Sequence, residues 1–141
     1  KPGAQAITPI YAGFTALRAL GAARVTLLTP YTPETTQPMA ECFEAAGFAL
    51  QGVSCLNMTD DREMARLSQD SVVEAARAAF VPGSQALFIS CTAVRAAGVA
   101  ARIEDALGVP VVTSNLATLW AAMRACGDPG AALPGQLMRQ P

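Results

Sequence analysis

The sequence contains no histidine and few charged residues, and both absences exclude functions. Without histidine there is no Ser-His-Asp triad, no histidine-paired cysteine, no histidine-bound metal and no haem histidine ligand. Charged side chains make up 15% of the 141 residues, ten basic against eleven acidic. No basic patch therefore points to nucleic acid or to an anionic membrane surface as a partner. Proton chemistry is left to Cys, Asp, Glu, Lys or Tyr.

The sequence also has no close pair of cysteines and no long apolar run. Its four cysteines, without any CxxC spacing, disfavour a structural metal site, and the alanine-rich pattern predicts a cytoplasmic protein with reduced thiols. No run reaches the ~20 apolar residues of a membrane span, and the opening KPGAQAITP does not have the order of a signal peptide. Because an initiating Met is also missing, we expect the chain to begin inside a longer protein.

Alternating strand and helix patterns fill the rest of the chain. With 52% hydrophobic residues, it is long enough for one packed domain. The succession predicts a three-layer, doubly wound α/β fold with a mainly parallel sheet of about four strands. The predicted strands are residues 24–29, 48–55, 86–90 and 110–113; the predicted helices are residues 7–20, 33–46, 71–80, 93–107 and one that Ser114 or Asn115 caps and that ends near residue 125. We assign residues 1–126 to this domain and expect residues 127–141 to be a loose tail.

Polar residues follow every predicted strand. In open parallel sheets, ligands bind beyond the carboxyl ends of the strands, so these polar ends are candidate site residues. They are residues 29–32, 57–61, 90–92 and 113–115. Ser, Thr, Asn and Asp are also the ordinary N-caps of helices, which is the structural alternative for each end. No turn contains a GxGxxG or P-loop pattern, so a nucleotide site is not supported.

Cys91 is the main catalytic candidate. Its predicted position, between a buried strand and a helix N-terminus, would favour the thiolate and make the thiol an acid or base. The backbone amides of Cys91 and Thr92, with the Thr92 hydroxyl, could hold a carboxylate or an enolate oxygen. The alternative is that Cys91 is a small buried core residue.

Other candidates have weaker support. Tyr31, after a strand and a proline, is directed toward the same edge as Cys91, although it could equally cap the core. Arg95, expected one helical turn past Cys91, could attract a carboxylate but fits a solvated helix arginine better. The remaining cysteines are expected at core or incidental surface positions. They are Cys42, Cys55 and Cys126.

Three stretches carry a resemblance to a known family. SCTAVR, PVVTSNLATLW and the earlier TPY, in this order and spacing, resemble the C-terminal half of the maleate cis-trans isomerase and arylmalonate decarboxylase group. That group belongs to the aspartate/glutamate racemase superfamily, and the likeness covers about residues 8–127. It implies one Rossmann-like half of a two-domain subunit, with the active site between the domains, no metal or organic cofactor, a small carboxylate substrate and a homodimer.

The resemblance also implies roles for individual residues. Cys91 of the SCT motif corresponds to an acid/base thiol of the family, and Tyr31 of TPY to a tyrosine that helps bind a substrate carboxylate. The amide of Thr92 belongs to the carboxylate-binding turn, and we assign Ser90 to the same substrate-binding set. Some isomerases have an asparagine near the position of Asp60 or Asp61. We assign Asp61 to the substrate-binding set, and note that a carboxylate there would repel a dianion.

The family's other catalytic turn has no counterpart before Lys1, and in isomerases and racemases that turn supplies a second cysteine. The chain is therefore expected to be either the C-terminal half of a longer subunit or a domain that has lost the chemistry. The predicted function is a cofactor-independent cysteine acid/base enzyme acting on small (di)carboxylates, similar to maleate cis-trans isomerase. The alternatives are an arylmalonate decarboxylase-like enzyme or a racemase and, in another class, a non-catalytic α/β binding or assembly module.

Overall fold

Six helices and four strands alternate along the chain in a computed structural model, which describes residues 6–128 and 134–141. The strands are β1 (Arg24–Thr29), β2 (Ala49–Cys55), β3 (Ala86–Ile89) and β4 (Val111–Thr113). The helices are α1 (Pro9–Ala19), α2 (Pro33–Ala45), α3 (Asp61–Arg66), α4 (Gln69–Ala79), α5 (Ala100–Leu107) and α6 (Ser114–Ala125). Two short 3₁₀ turns, Ala96–Val99 and Leu137–Arg139, complete the described elements.

The four strands form one parallel sheet in the order β2-β1-β3-β4. This confirms the predicted fold class. The chain leaves β1 for β2 on one side and returns to β3 on the other, so β1 and β3 are neighbours whose connections run in opposite directions. Such a switch point opens a crevice beyond the carboxyl ends of the two strands.

Apolar side chains cover both faces of the sheet. On one face, α1, α2 and α6 pack around a cluster that includes Phe14, Phe43 and Phe88. On the other face, α3, α4 and α5 pack around a second cluster that includes Leu87 and Ile103. The strands contribute to both because consecutive side chains alternate across a sheet. No helix among the described residues is long and apolar enough to cross a membrane.

The start of α1 illustrates how local chemistry sets the elements. The side chain of Thr8 accepts a hydrogen bond from the Tyr11 amide, and Pro9 occupies the first helical position, where its missing N–H costs nothing. The helix ends before Gly21, which has a φ of +68°. These features were predicted from the sequence, and the bounds of the four predicted strands differ from the observed ones by no more than one residue at either end.

The segment after β3 differs from the prediction. A helix over residues 93–107 is wrong: residues 92–95 are irregular, a 3₁₀ turn follows, and α5 begins only at Ala100. The reason is local, because the Ala93 N–H bonds to the Cys91 sulfur instead of beginning a helical ladder. Cys91 therefore does not lie at the N-terminus of an α-helix. The N-cap of α6 is Thr113, and neither Ser114 nor Asn115 takes that role.

The end of the chain packs onto the domain. A loose tail was predicted from Gly127, but residues 134–141 run along α6, with Leu137 and Met138 buried. The buried Glu104 carboxylate accepts the Gln136 N–H. The guanidinium of Arg124, on α6, donates to backbone carbonyls of residues 134–141. The part of the predicted tail at 129–133 lies outside the described residues.

Candidate active site

The ends of β1 and β3 bring Tyr31 and Cys91 together. Because the two strands are parallel neighbours, the residues that follow them meet at one edge of the sheet. A cavity of about 360 Å³ opens there. It is lined by Pro9, Ile10, Tyr31, Met39, Phe88, Ser90, Cys91, Thr92 and Ser114. Four of the five sequence-predicted site residues therefore share one cavity, and the fifth, Asp61, is not among its lining residues.

Cys91 is held in an unusual conformation at the cavity wall. Its φ is +90°, a region that side chains with a Cβ rarely adopt and that costs of order 1–3 kcal/mol. The residue is 6% exposed. Its sulfur accepts the Ala93 N–H at 3.3 Å and lies 3.9 Å from the Met64 sulfur. The sulfur therefore has a backbone amide donor from its own turn, in place of the helix terminus expected from the sequence.

The phenol of Tyr31 contacts the side chains of both Cys91 and Ser90. Its pKa is raised from 10.0 to about 12, first by burial, then by the hydrogen bond with Cys91 and the charge of the thiolate. The hydrogen bond with Ser90 acts in the opposite direction, and the charge of Asp61 adds a smaller increase in pKa. Tyr31 therefore keeps its proton at neutral pH and serves as a hydrogen-bond donor beside the thiol.

Several groups near the thiol are available to bind an anion. Within residues 6–128 and 134–141, the backbone N–H groups of Cys91 and Thr92 donate to no protein acceptor. Thr92 lies in the exposed part of the same turn, and its carbonyl accepts the Asn115 side-chain amide at 3.1 Å. Free amides beside a proton-donating phenol can stabilise a carboxylate or the negative oxygen of an enediolate.

The charged candidates lie outside the cavity. Asp60 caps α3 by accepting the Arg62 N–H at 2.7 Å, whereas Asp61, in the first turn of α3, carries the charge that acts on Tyr31. Arg95 is exposed and its guanidinium contacts the Leu67 carbonyl at 3.4 Å. Arg95 is therefore directed to the α3–α4 connection, and the carboxylate-binding role considered for it has no support in this geometry.

Sequence reasoning missed the apolar wall of the cavity. Ile10 and Pro9 come from the first turn of α1, Met39 comes from α2, and Ser114 begins α6. Ser114 was not missed, because it belongs to the candidate strand end at residues 113–115. The α1 and α2 residues could not be predicted, since their approach depends on how the helices pack across the sheet.

The other cysteines lie away from this cavity. Cys42 and Cys126 are exposed, Cys55 is partly buried at the end of β2, and all four cysteines are free thiols. Among the described residues, no group of three or more cysteine, aspartate or glutamate side chains could hold a metal ion.

The fold and the cavity define a class of protein: a parallel α/β domain with a buried cysteine at the switch point of its sheet. The family model described as arylmalonate decarboxylase matches residues 3–138, and the chain belongs to that family. The family predicted from the sequence motifs is thereby confirmed.

Two relatives and one solved structure show how far the similarity extends. The chain is 33% identical to an arylmalonate decarboxylase of Bordetella bronchiseptica over 84% of this chain and 50% of the relative. It is 32% identical to a maleate isomerase of Nocardia farcinica over 98% of this chain and 57% of the relative. The chain thus spans about half the length of these two relatives.

The solved structure is that of the Nocardia farcinica maleate cis-trans isomerase, in a cysteine-to-serine mutant with a covalently bound succinylcysteine intermediate. It matches with a TM-score of 0.84 and 29% identity, and the match covers 97% of this chain and 58% of that one.

Proposed function

We propose that this chain carries the Cys91 side of the active site of a cofactor-independent enzyme that transfers a proton at the carbon next to a carboxylate. The contact of the Tyr31 phenol with Ser90 and Cys91, beside two backbone amides that have no acceptor among the described residues, carries this proposal. Cys91 is the acid/base group. Tyr31, Ser90 and the Thr92 amide bind the substrate carboxylate. Asp61, on α3 and outside the described cavity, acts on the bound substrate through its charge.

The chemistry requires the site to make a carbon beside a carboxylate accept or release a proton. Charge then develops on the carboxylate oxygens, as in an enediolate, and amide and phenol donors stabilise it. Cys91 is 6% exposed, and the mostly apolar cavity beside it limits the access of water to the proton that the thiol exchanges.

The first candidate for the overall reaction is cis-trans isomerisation of a maleate-like dicarboxylate. A second thiolate adds to one alkene carbon, and Cys91 gives its proton to the other, which leaves a single bond that rotates. Return of the proton to Cys91 and expulsion of the added thiolate give the trans alkene. The covalent succinylcysteine in the solved relative is an adduct of this kind. Since Cys91 is the one cysteine lining the described cavity, this reaction needs a thiol from outside the described residues.

The second candidate is decarboxylation of a substituted malonate. The bond to one carboxylate breaks, its electrons pass into an enediolate as carbon dioxide leaves, and the Cys91 thiol supplies the proton that the carbon then accepts. One thiol is sufficient for these steps. The apolar wall formed by Ile10, Met39 and Phe88 suits an apolar substituent, and the family model supports the same reaction.

The deciding experiment assays the full-length protein with maleate and with phenylmalonate, following the products by NMR. We expect turnover of at least one acid, reduced at least a thousandfold in Cys91→Ser and unchanged in the matched control Cys42→Ser, whose thiol is exposed on α2. Full activity in Cys91→Ser, or no turnover of either acid, would reject the proposal and favour a non-catalytic module. A homodimer remains a prediction, which sedimentation of the full-length protein would check.

A further inference from the structure

Two hydrogen bonds join Asn115 to the sulfur of Cys91 through a single peptide unit. The Asn115 side-chain amide donates to the Thr92 carbonyl at 3.1 Å, and the Ala93 N–H donates to the Cys91 sulfur at 3.3 Å. The Thr92 carbonyl and the Ala93 N–H belong to the same planar amide. Asn115 therefore binds the carbonyl of the Thr92–Ala93 peptide, and the N–H of the same peptide binds the Cys91 sulfur.

The hydrogen bond from Asn115 to the Thr92 carbonyl matters because no helix or strand orients the backbone at residues 92–95. Residues 92–95 are outside any helix, and Asn115 provides the hydrogen bond that the Thr92 carbonyl accepts in the described chain. Asn115 is the second residue of α6. The N-terminus of this helix is capped, because the Thr113 side chain accepts the Leu116 N–H at 3.1 Å. A rigid helix end thus orients an otherwise irregular turn.

We propose that Asn115 is a positioning residue for Cys91, which it serves by holding the Thr92–Ala93 peptide so that its N–H stabilises the thiolate. A donor on a peptide carbonyl polarises the amide and strengthens its N–H as a donor, and an N–H on sulfur favours the charged form. The inference rests on the proposed function, since it assigns Asn115 to the thiol that carries the proton.

The test measures the rate at which iodoacetamide alkylates Cys91 in the folded full-length protein, followed by mass spectrometry. The variants are Asn115→Ala, which removes the donor without adding charge, and Asn115→Asp, which keeps the shape and adds an acidic residue that a helix N-terminus favours. Leu119→Ala, one turn later on α6 and 45% exposed, is the matched control. The exposed Cys42 and Cys126 report reagent activity in the same sample.

We expect alkylation of Cys91 to slow about threefold to tenfold in both Asn115 variants, the effect of losing one hydrogen bond. It should not change in Leu119→Ala. A purely structural role would loosen the turn, expose the buried sulfur and speed alkylation, so an unchanged or faster rate overturns the proposal. Slowing in Asn115→Asp alone would be an effect of charge and overturns it as well.

This outcome is separable from the outcome for the proposed function, because alkylation needs no turnover. If neither maleate nor phenylmalonate reacts while Cys91 alkylation slows in both variants, the role of Asn115 stands and the proposed function fails. Where turnover is measured, the positioning role predicts a lower kcat with a nearly unchanged KM, because stabilising the thiolate that remains when Cys91 gives up its proton assists proton transfer and not substrate binding. A raised KM with an unchanged kcat would contradict the positioning role.

Discussion

The Tyr31 phenol lies beside Cys91 at the junction of β1 and β3, and the Cys91 side chain is one of the causes that raise the pKa of Tyr31. With its pKa raised to about 12, the phenol stays protonated over the range in which a thiol changes charge. Tyr31 therefore serves as a hydrogen-bond donor that keeps its proton, whereas Cys91 is the proposed carrier of the proton that is transferred.

Replacement of Tyr31 by phenylalanine removes the fixed donor while keeping the ring. We expect kcat/KM to fall on the order of tenfold to a hundredfold, because loss of one donor to a developing oxyanion has an effect of this size or larger. Tyr11→Phe is the control, since Tyr11 is 69% exposed on α1. Steady-state kinetics of both variants in the full-length protein check this, and an equal loss in the two would contradict it.

The raised pKa of Tyr31 also makes stability depend on alkaline pH. Its ordinary pKa of 10.0 applies to the unfolded chain, so the phenol's contribution to stability is complete below pH 10. As pH rises from 10 toward 12, the unfolded state loses the proton first, and stability falls. Urea midpoints across this range should fall less in Tyr31→Phe than in the parent, while Tyr11→Phe should keep the parent slope.

Because the φ of Cys91 is positive, we expect glycine to be more stable than alanine at this position, which is the reverse of their order in a helix. Glycine adopts this backbone without strain, whereas alanine keeps the Cβ, so Cys91→Gly should be about 1 kcal/mol more stable than Cys91→Ala. In α5 the order reverses, because Ala101→Gly should cost about 1 kcal/mol. Urea unfolding measures all three. A less stable Cys91→Gly would show that the turn does not need its left-handed residue.

The carboxylate of Asp61 should weaken the binding of dianions. Asp61→Asn removes a negative charge near Tyr31, and we expect KM for maleate to fall about threefold, with a smaller gain at high salt. Glu63→Gln makes the same charge change elsewhere on the six-residue helix α3 and is the matched control. Equal effects of the two substitutions would mean that only overall charge matters.

The packing of residues 134–141 predicts that the end of the chain contributes to stability. Leu137 is 1% exposed, so Leu137→Ala should lower the free energy of unfolding by about 2–4 kcal/mol. Gln140→Ala, in the same segment and partly exposed, should change it far less because its side chain leaves no cavity. Chemical denaturation compares the two, and equal small effects would restore the predicted loose tail.

Strand positions could be predicted because they depend on short-range patterns. The run from Arg24 to Thr29 is apolar, β-branched and stopped by a proline, and the strand has those bounds. Tyr31 and Cys91 followed from the rule that strand ends meet at one edge of a parallel sheet.

The segment after Cys91 could not be predicted in the same way. Its composition suits a helix, and the bond from the Ala93 amide to the Cys91 sulfur, which redirects the chain, has no signature in the sequence. Asn115 was interpreted as a helix cap for the same reason, because its partner, the Thr92 carbonyl, is distant in the chain. Long-range contacts of this kind exist only once the sheet has formed.

The crossed order of the strands means that the candidate site forms at the same step of folding as the pairing of β1 with β3. β1 pairs with β3 although β2 lies between them in the sequence, and a pairing of such high contact order slows folding. The crevice cannot exist before that pairing, so burial of the Cys91 sulfur reports when the pairing forms during folding. Pulsed alkylation during refolding should find this thiol open early and protected when native structure appears.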